Sequence, residues 1–255
     1  MNPSIHPTFA RWLAPAFVSL ACLVALPMAL PLTAQAASLS RSGKSVTETR
    51  SLADFQAVAL NGSMDLVVRQ GATQSVQVEA DDNLLPLLET VVESTGQGAT
   101  LVVRWKKGQS LYTRSKVSIT VTVPKLSALT AAGSGDIKVE SFNTPALKLS
   151  LSGSGDAKLQ GLSTADFGIS ISGSGDVVAN GSATKLSIRI AGSGDVRLMD
   201  LKSDDVSVSV AGSGDVAVNA AKTLDVRIAG SGDVSYSGNP AVKSKVAGSG
   251  SVNKR

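Results

Sequence analysis

The sequence predicts an all-β, single-domain parallel β-helix, a right-handed solenoid with coils of 18–20 residues. Three observations predict it. Gly-Ser-Gly-Asp recurs six times, beginning at Gly133, Gly153, Gly173, Gly192, Gly212 and Gly230, and a seventh copy at Gly248 ends in Ser251; successive copies start 20, 20, 19, 20, 18 and 18 residues apart. Between copies, apolar residues alternate strictly with polar ones, the signature of a strand with one buried face. Only 4% of the residues are aromatic, against 43% hydrophobic, so Val, Ile, Leu and Ala must fill a thin interior.

Within one repeat, the first and third residues after Asp are mostly apolar, as in Ile137/Val139, Val196/Leu198 and Val216/Val218. A second run precedes the next Gly, as in Leu147-x-Leu149-x-Leu151, Phe167-x-Ile169-x-Ile171 and Leu186-x-Ile188-x-Ile190. Between the two, Leu162, Leu201 and Pro240 take an inward position, while outward positions carry Ser, Lys, Arg, Asp or Gly. A unit of about 20 residues cannot cover its own apolar face, so equivalent strands stack coil on coil. Parallel connections set the expected hand.

In the turn, glycine admits positive φ, and Ser and Asp bond turn N–H groups. Stacking sets Asp136, Asp156, Asp176, Asp195, Asp215 and Asp233 in one column. At about 4.8 Å spacing, neighbouring carboxylates repel by roughly 1 kcal/mol in water and about 3–4 at an effective dielectric of 20. Turn N–H donors, hydroxyls or a bound cation must offset this. The column is therefore a calcium candidate, although one Asp per coil departs from the calcium-binding β-roll pattern.

Ahead of the repeats, strands are expected at 55–60, 64–69, 75–80, 100–105 and 116–123, with a short helix in 81–88. Gly62-Ser63-Met64-Asp65 is a degenerate echo of the turn. The expected organisation is a signal peptide over 1–36, a flexible polar leader over 37–51, and a solenoid over 52–255 with irregular coils in 52–130 and regular ones in 131–255. Residues 1–36 carry Arg11, an apolar run from Trp12 to Leu32 broken by three prolines, and the cleavage pattern Ala34-Gln35-Ala36. The prolines and the cleavage site weigh against a retained membrane span, and Ser19-Leu20-Ala21-Cys22 is a poor lipobox. Export to the periplasm, the outer surface or the medium follows, with no transmembrane segment after cleavage.

The chain's one Cys and one His, Cys22 and His6, both lie in that leader. What remains lacks the side chains for Ser-His-Asp or Cys-His catalysis and for Cys/His zinc sites, so no catalytic residue and no cofactor is expected. With Arg11 removed, 23 basic and 20 acidic residues stay interleaved, which gives no nucleic-acid footprint. One stretch stands apart. No acidic residue occurs between Glu93 and Asp136, and Arg104, Trp105, Lys106, Lys107, Tyr112, Arg114 and Lys116 read as a basic hairpin with two aromatics, a candidate polyanion contact.

The chain resembles the head GIN domain family, a group of exported bacterial proteins labelled "putative auto-transporter adhesin" and formerly a domain of unknown function. The resemblance rests on residues 55–60 with Met64-Asp65-Leu66-Val67-Val68 and Gln70-Gly71, Asp82-Asn83-Leu84-Leu85, Val123-Pro124-Lys125-Leu126, the repeats, and Tyr236-Ser237-Gly238-Asn239-Pro240 before the final glycines. It implies a β-helical fold, export and no catalytic residues. The expected function is a non-catalytic module that binds an envelope protein or a surface glycan. The alternatives are a polysaccharide-acting β-helix enzyme or a self-assembling envelope protein that forms homo-oligomers. Arg255 follows closely on the last turn, so the expectation is either adhesion through a partner rather than a membrane barrel in this chain, or a soluble periplasmic or secreted module.

Overall fold

The computed structural model describes residues 42–107 and 116–255. The expected signal peptide, with Cys22 and His6, and Tyr112 and Arg114 lie outside the described residues. The protein is nearly all β and builds a solenoid of stacked parallel coils of about 20 residues.

Strand β1 (Ser45–Arg50) leads into β2 (Ala57–Asn61), the Gly62-Ser63-Met64-Asp65 turn and β3 (Asp65–Gln70). Then come β4 (Ser75–Asp81), a 3-10 turn at Leu85–Leu87, β5 (Leu88–Thr95), β6 (Gly98–Trp105) and β7 (Ser118–Val123). The regular coils follow as β8 (Ala128–Gly133), β9 (Ile137–Glu140), β10 (Asn143–Gly153), β11 (Ala157–Gly173), β12 (Val177–Gly192), β13 (Val196–Gly212), β14 (Val216–Gly230), β15 (Val234–Ser237), β16 (Ala241–Gly248) and β17 (Val252–Lys254). The long strands β11 to β14 each bend, so their first residues extend the row of β9 and their last residues extend the row of β10.

The coils do not stack in chain order at the amino-terminal end. Strand β2 lies between β6 and β8, and β3 between β7 and β9, all parallel. The coil made of β6 and β7 therefore lies outside the earlier coil made of β2 and β3. Its own outer edges are covered by antiparallel strands: β5 pairs with β6, β4 with β7, and β1 with β4. Antiparallel strands end a parallel stack by satisfying its edge without continuing the coil, as capping units of solenoids do.

Three expectations are corrected here. Residues 45–50 are not flexible leader, because the edge of β4 recruits them as β1, with Ser45 opposite Asp81 and Arg50 opposite Val76. The helix expected in 81–88 shrinks to the 3-10 turn, since Pro86 favours a first turn and β5 then draws the chain out against β6. The strands that flank the basic stretch do not pair with each other among the described residues: β6 pairs with β2 and β7 with β3.

The core is one continuous set of apolar rows. Leu147, Phe167, Leu186, Val206 and Leu224 form one, each opposite the next. Ile137, Ala157, Val177, Val196 and Val216 form another. Leu162 and Leu201 are buried as the alternation requires, and Pro240 is half-buried. At the carboxy-terminal coil the rows come to the surface, with Val242 39% and Val246 40% exposed above Leu224 and Ile228.

Candidate functional site

The column of aspartates is a hydrogen-bond ladder. Each Oδ1 accepts the backbone N–H of the Asp one coil on: Asp136 from Asp156 (3.0 Å), Asp156 from Asp176 (2.8 Å), Asp176 from Asp195 (2.9 Å), Asp195 from Asp215 (2.9 Å) and Asp215 from Asp233 (2.8 Å). Bonds also run the other way, from the N–H of the residue after Asp to the carbonyl of the next coil's Asp, as in Val177 to Asp195 (2.8 Å). The carboxylate thus supplies an acceptor for a turn donor that no backbone carbonyl meets. Asp65 is the first rung, accepting from Asp136 N–H at 3.2 Å, and Ser251 closes the ladder by donating both N–H and Oγ–H to Asp233 Oδ1 at 2.8 Å.

Cations reach the same column. Arg197 bridges Asp176 (3.0 Å) and Asp195 (2.8 Å), and its guanidinium is pushed above its usual range by the bond to Asp176 first. Lys116 lies 3.4 Å from Asp65. The repulsion expected along the column is thus offset by N–H donors and these cations. Among the described residues, no group of three or more His, Cys, Asp or Glu side chains is arranged to hold a metal ion. The ladder predicts a ranking. Asp215→Ala, which strands the Asp233 N–H, should cost about 1–2 kcal/mol, whereas Asp215→Asn, which keeps an acceptor and removes a like charge, should cost under about 0.5. Urea midpoints check this, and equal losses would show that the charge rather than the acceptor matters.

Of the candidate polyanion contact, Arg104, Trp105, Lys106, Lys107 and Lys116 lie among the described residues. Arg104 is held by Glu89 (2.7 Å) and Glu93 (2.8 Å), both on the antiparallel neighbour β5, and the bond to Glu89 is the main cause raising its pKa. Trp105 is half-buried against the core, while Lys106 and Lys107 are exposed. The acid-free interval in the chain is not acid-free in space, because β5 precedes it.

Outer grooves open at several places among the described residues. A groove of about 780 Å³ runs past Gln56, Ser127, Asn143, Thr144 and Ser163. Another, of about 470 Å³, follows the first part of the aspartate ladder past Lys138, Lys158 and Val178, and one of about 480 Å³ follows its later part past Asp195, Asp215 and Asp233. A small notch of about 130 Å³ opens on the face of β10 to β12 between Lys148 and Arg189. Beside the groove at Lys138, Lys138 and then Arg69 hold the Glu140 carboxyl below its usual range.

A capped parallel β-solenoid with ladder-bonded turns and unbroken outer columns is the class these features define. The chain belongs to the family described as "Putative auto-transporter adhesin, head GIN domain", whose profile matches residues 54–240. Solved structures share the fold. A "putative adhesin" from Bacteroides fragilis superposes with a TM-score of 0.79 at 23% identity, covering 86% of this chain and 100% of that one. A "putative lipid binding protein" from Parabacteroides distasonis gives 0.71 at 26% identity, covering 86% and 99%. A "putative adhesin" from Parabacteroides merdae gives 0.71 at 22% identity, again over 86% and 99%. No curated protein sequence matches the chain.

Proposed function

We propose that the protein is an exported, non-catalytic β-solenoid that binds cell-surface or envelope components in an adhesin-like role, directed out of the cytoplasm by residues 1–36. The observation that carries this reading is the repetition of the exterior. Successive coils hold their outward positions in register at the coil spacing, and one outward row stays small throughout, Ser152, Ser172, Ala191, Ala211 and Ala229, so a polymer lying along the solenoid meets a regularly spaced surface over several coils, which multiplies weak contacts. The family description and the names of the solved neighbours support it. Among the described residues, no helix is long and apolar enough to cross a membrane. The aspartates, which a polysaccharide-acting enzyme would use, have the turn-bonding role in coil after coil, and an acid pair set apart from the repeat is what such an enzyme needs.

The test is saturable binding of the purified, processed protein to envelope fractions and a glycan panel, with product analysis of any polysaccharide it retains. The expected result is retention on at least one envelope fraction with no chain cleavage. Absence of binding to every fraction, or release of new saccharide ends, overturns the reading.

A further inference from the structure

Gly168 is a glycine the fold does not require. Those of the repeat turns have positive φ or lie against the carbonyl of the coil beneath, but Gly168 lies mid-strand in β11 outside the positive-φ region. A Cβ built there meets only Lys148 Cγ at 3.8 Å, an ordinary contact. Its outward row otherwise carries Lys148, Ser187, Ser207, Asp225 and Lys243. Glycine weakens a strand interior, and it is found where a ligand or another chain must approach closely.

What surrounds the gap is cationic. The notch over Gly168 is lined by Lys148 on one neighbouring coil, Arg189 on the other, and Ser150 and Ser170. The two cations lie two coils apart, roughly 10 Å along the axis. Six arginines lie in the described strands, and five are ion-paired: Arg50 with Glu48, Arg69 with Glu140, Arg104 with Glu89 and Glu93, Arg197 with Asp176 and Asp195, and Arg227 with Asp225. Arg189 is the sixth. Its bond is to the Ser187 hydroxyl at 3.3 Å, and neither it nor Lys148 forms an ion pair among the described residues. The nearest acid on this face, Asp166, is one outward position further along β11, opposite Lys185. A guanidinium free to present its planar fork and a lysine point charge, either side of a cleared floor with hydroxyl donors, are the elements of an oxyanion site.

We propose that Lys148, Arg189, Ser150 and Ser170 bind an oxyanion substituent, a sulfate or a carboxylate, of a polysaccharide lying across the flat face of β10 to β12, with Gly168 leaving the room. The proposal rests on the adhesin-like reading and names its ligand chemistry. A notch of about 130 Å³ admits the charged group, while the sugar backbone runs over the small outward residues Ser152, Ser172 and Ala191.

The experiment measures binding of the processed protein to immobilised dextran sulfate, polygalacturonate and neutral dextran. Either polyanion, but not dextran, should retain the wild type, and which one identifies the group. Gly168→Val fills the notch without changing charge and favours the strand. It and the double variant Lys148→Ser/Arg189→Ser should each weaken retention by about tenfold or more. The matched control Lys243→Ser/Lys245→Ser, on the same face at β16, should change it by under about twofold. Equal loss in the control, unchanged binding in Gly168→Val and the double variant, or no preference of the wild type for a polyanion overturns the site. The double variant leaves the backbone intact and decides the matter if valine perturbs folding. A wild type that binds an envelope fraction but shows no polyanion preference ends this site alone, and the adhesin-like reading stands.

Discussion

Gly194→Ala should destabilise the solenoid by about 2–4 kcal/mol and lower Tm by about 5–15 °C, the larger effects coming from overpacking against backbone that cannot move aside. Gly194 is the second glycine of its turn, is buried, and does not need positive φ. A Cβ there falls on the carbonyl oxygen of Gly175 in the coil beneath and lies 3.1 Å from Ile171 Cγ2. Gly192, two residues earlier, carries both demands, a φ of +140° and an approach to the Gly173 carbonyl. The first turn shows where the demand originates. Gly135 is stacked against Met64, but Met64 itself has no Gly-Ser-Gly-Asp turn under it, and beneath Asp65 comes Val117, whose carbonyl accepts the Asp65 N–H at 2.9 Å. The glycine is therefore set by its neighbour coil, not by the turn alone. Gly96→Ala is the control, since a Cβ at Gly96 meets nothing within 4 Å, and its effect should stay within about 0.5 kcal/mol. A Gly194→Ala protein with the Tm of the wild type would show that adjacent coils separate at little cost.

The regular coils were legible because everything that specifies them is local. Alternation names the buried residues, and the tetrapeptide marks each reversal. The stacking order of the first coils was not legible. Residues 57–61 and 100–105 read alike as alternating strands, and nothing within either run says which is outer. That choice is made by β4, β5 and β1, whose antiparallel pairing excludes a further coil. Arg104 is neutralised locally, because its carboxylates, Glu89 and Glu93, come from β5, the strand that forms a hairpin with β6 and lies just before the acid-free interval. The aspartate column was legible as a column but not as a ladder, since a bond from one coil's N–H to another's Oδ1 is a property of the stack. Gly168 left a visible trace in the sequence, an outward position without a side chain, but its cationic surroundings appear only when 148, 168 and 189 stand together.

Phe167→Ala should cost about 3–5 kcal/mol, the range for emptying a large buried aromatic site. Phe167 is 1% exposed, in a row whose other members are Leu147, Leu186, Val206 and Leu224. A ring in a leucine-sized row needs room elsewhere in its coil. Ala157, in the same strand as Phe167, is the small residue of a row that otherwise holds Ile137, Val177, Val196 and Val216, and the double variant below tests whether it makes that room. The interior is packed at solid density, so large and small residues must trade within a coil. This yields a coupling that single substitutions do not reveal. Phe167→Leu alone should cost about 1–2 kcal/mol through the cavity it leaves, and Ala157→Val alone about 1–3 through overpacking. Together they restore the pattern of the neighbouring coils, so the double variant should be more stable than the sum of the single losses by at least about 1 kcal/mol. Urea unfolding of the four proteins measures this directly. Additive losses would mean that the two rows fill their space independently, and that the phenylalanine is accommodated by backbone displacement of its coil instead.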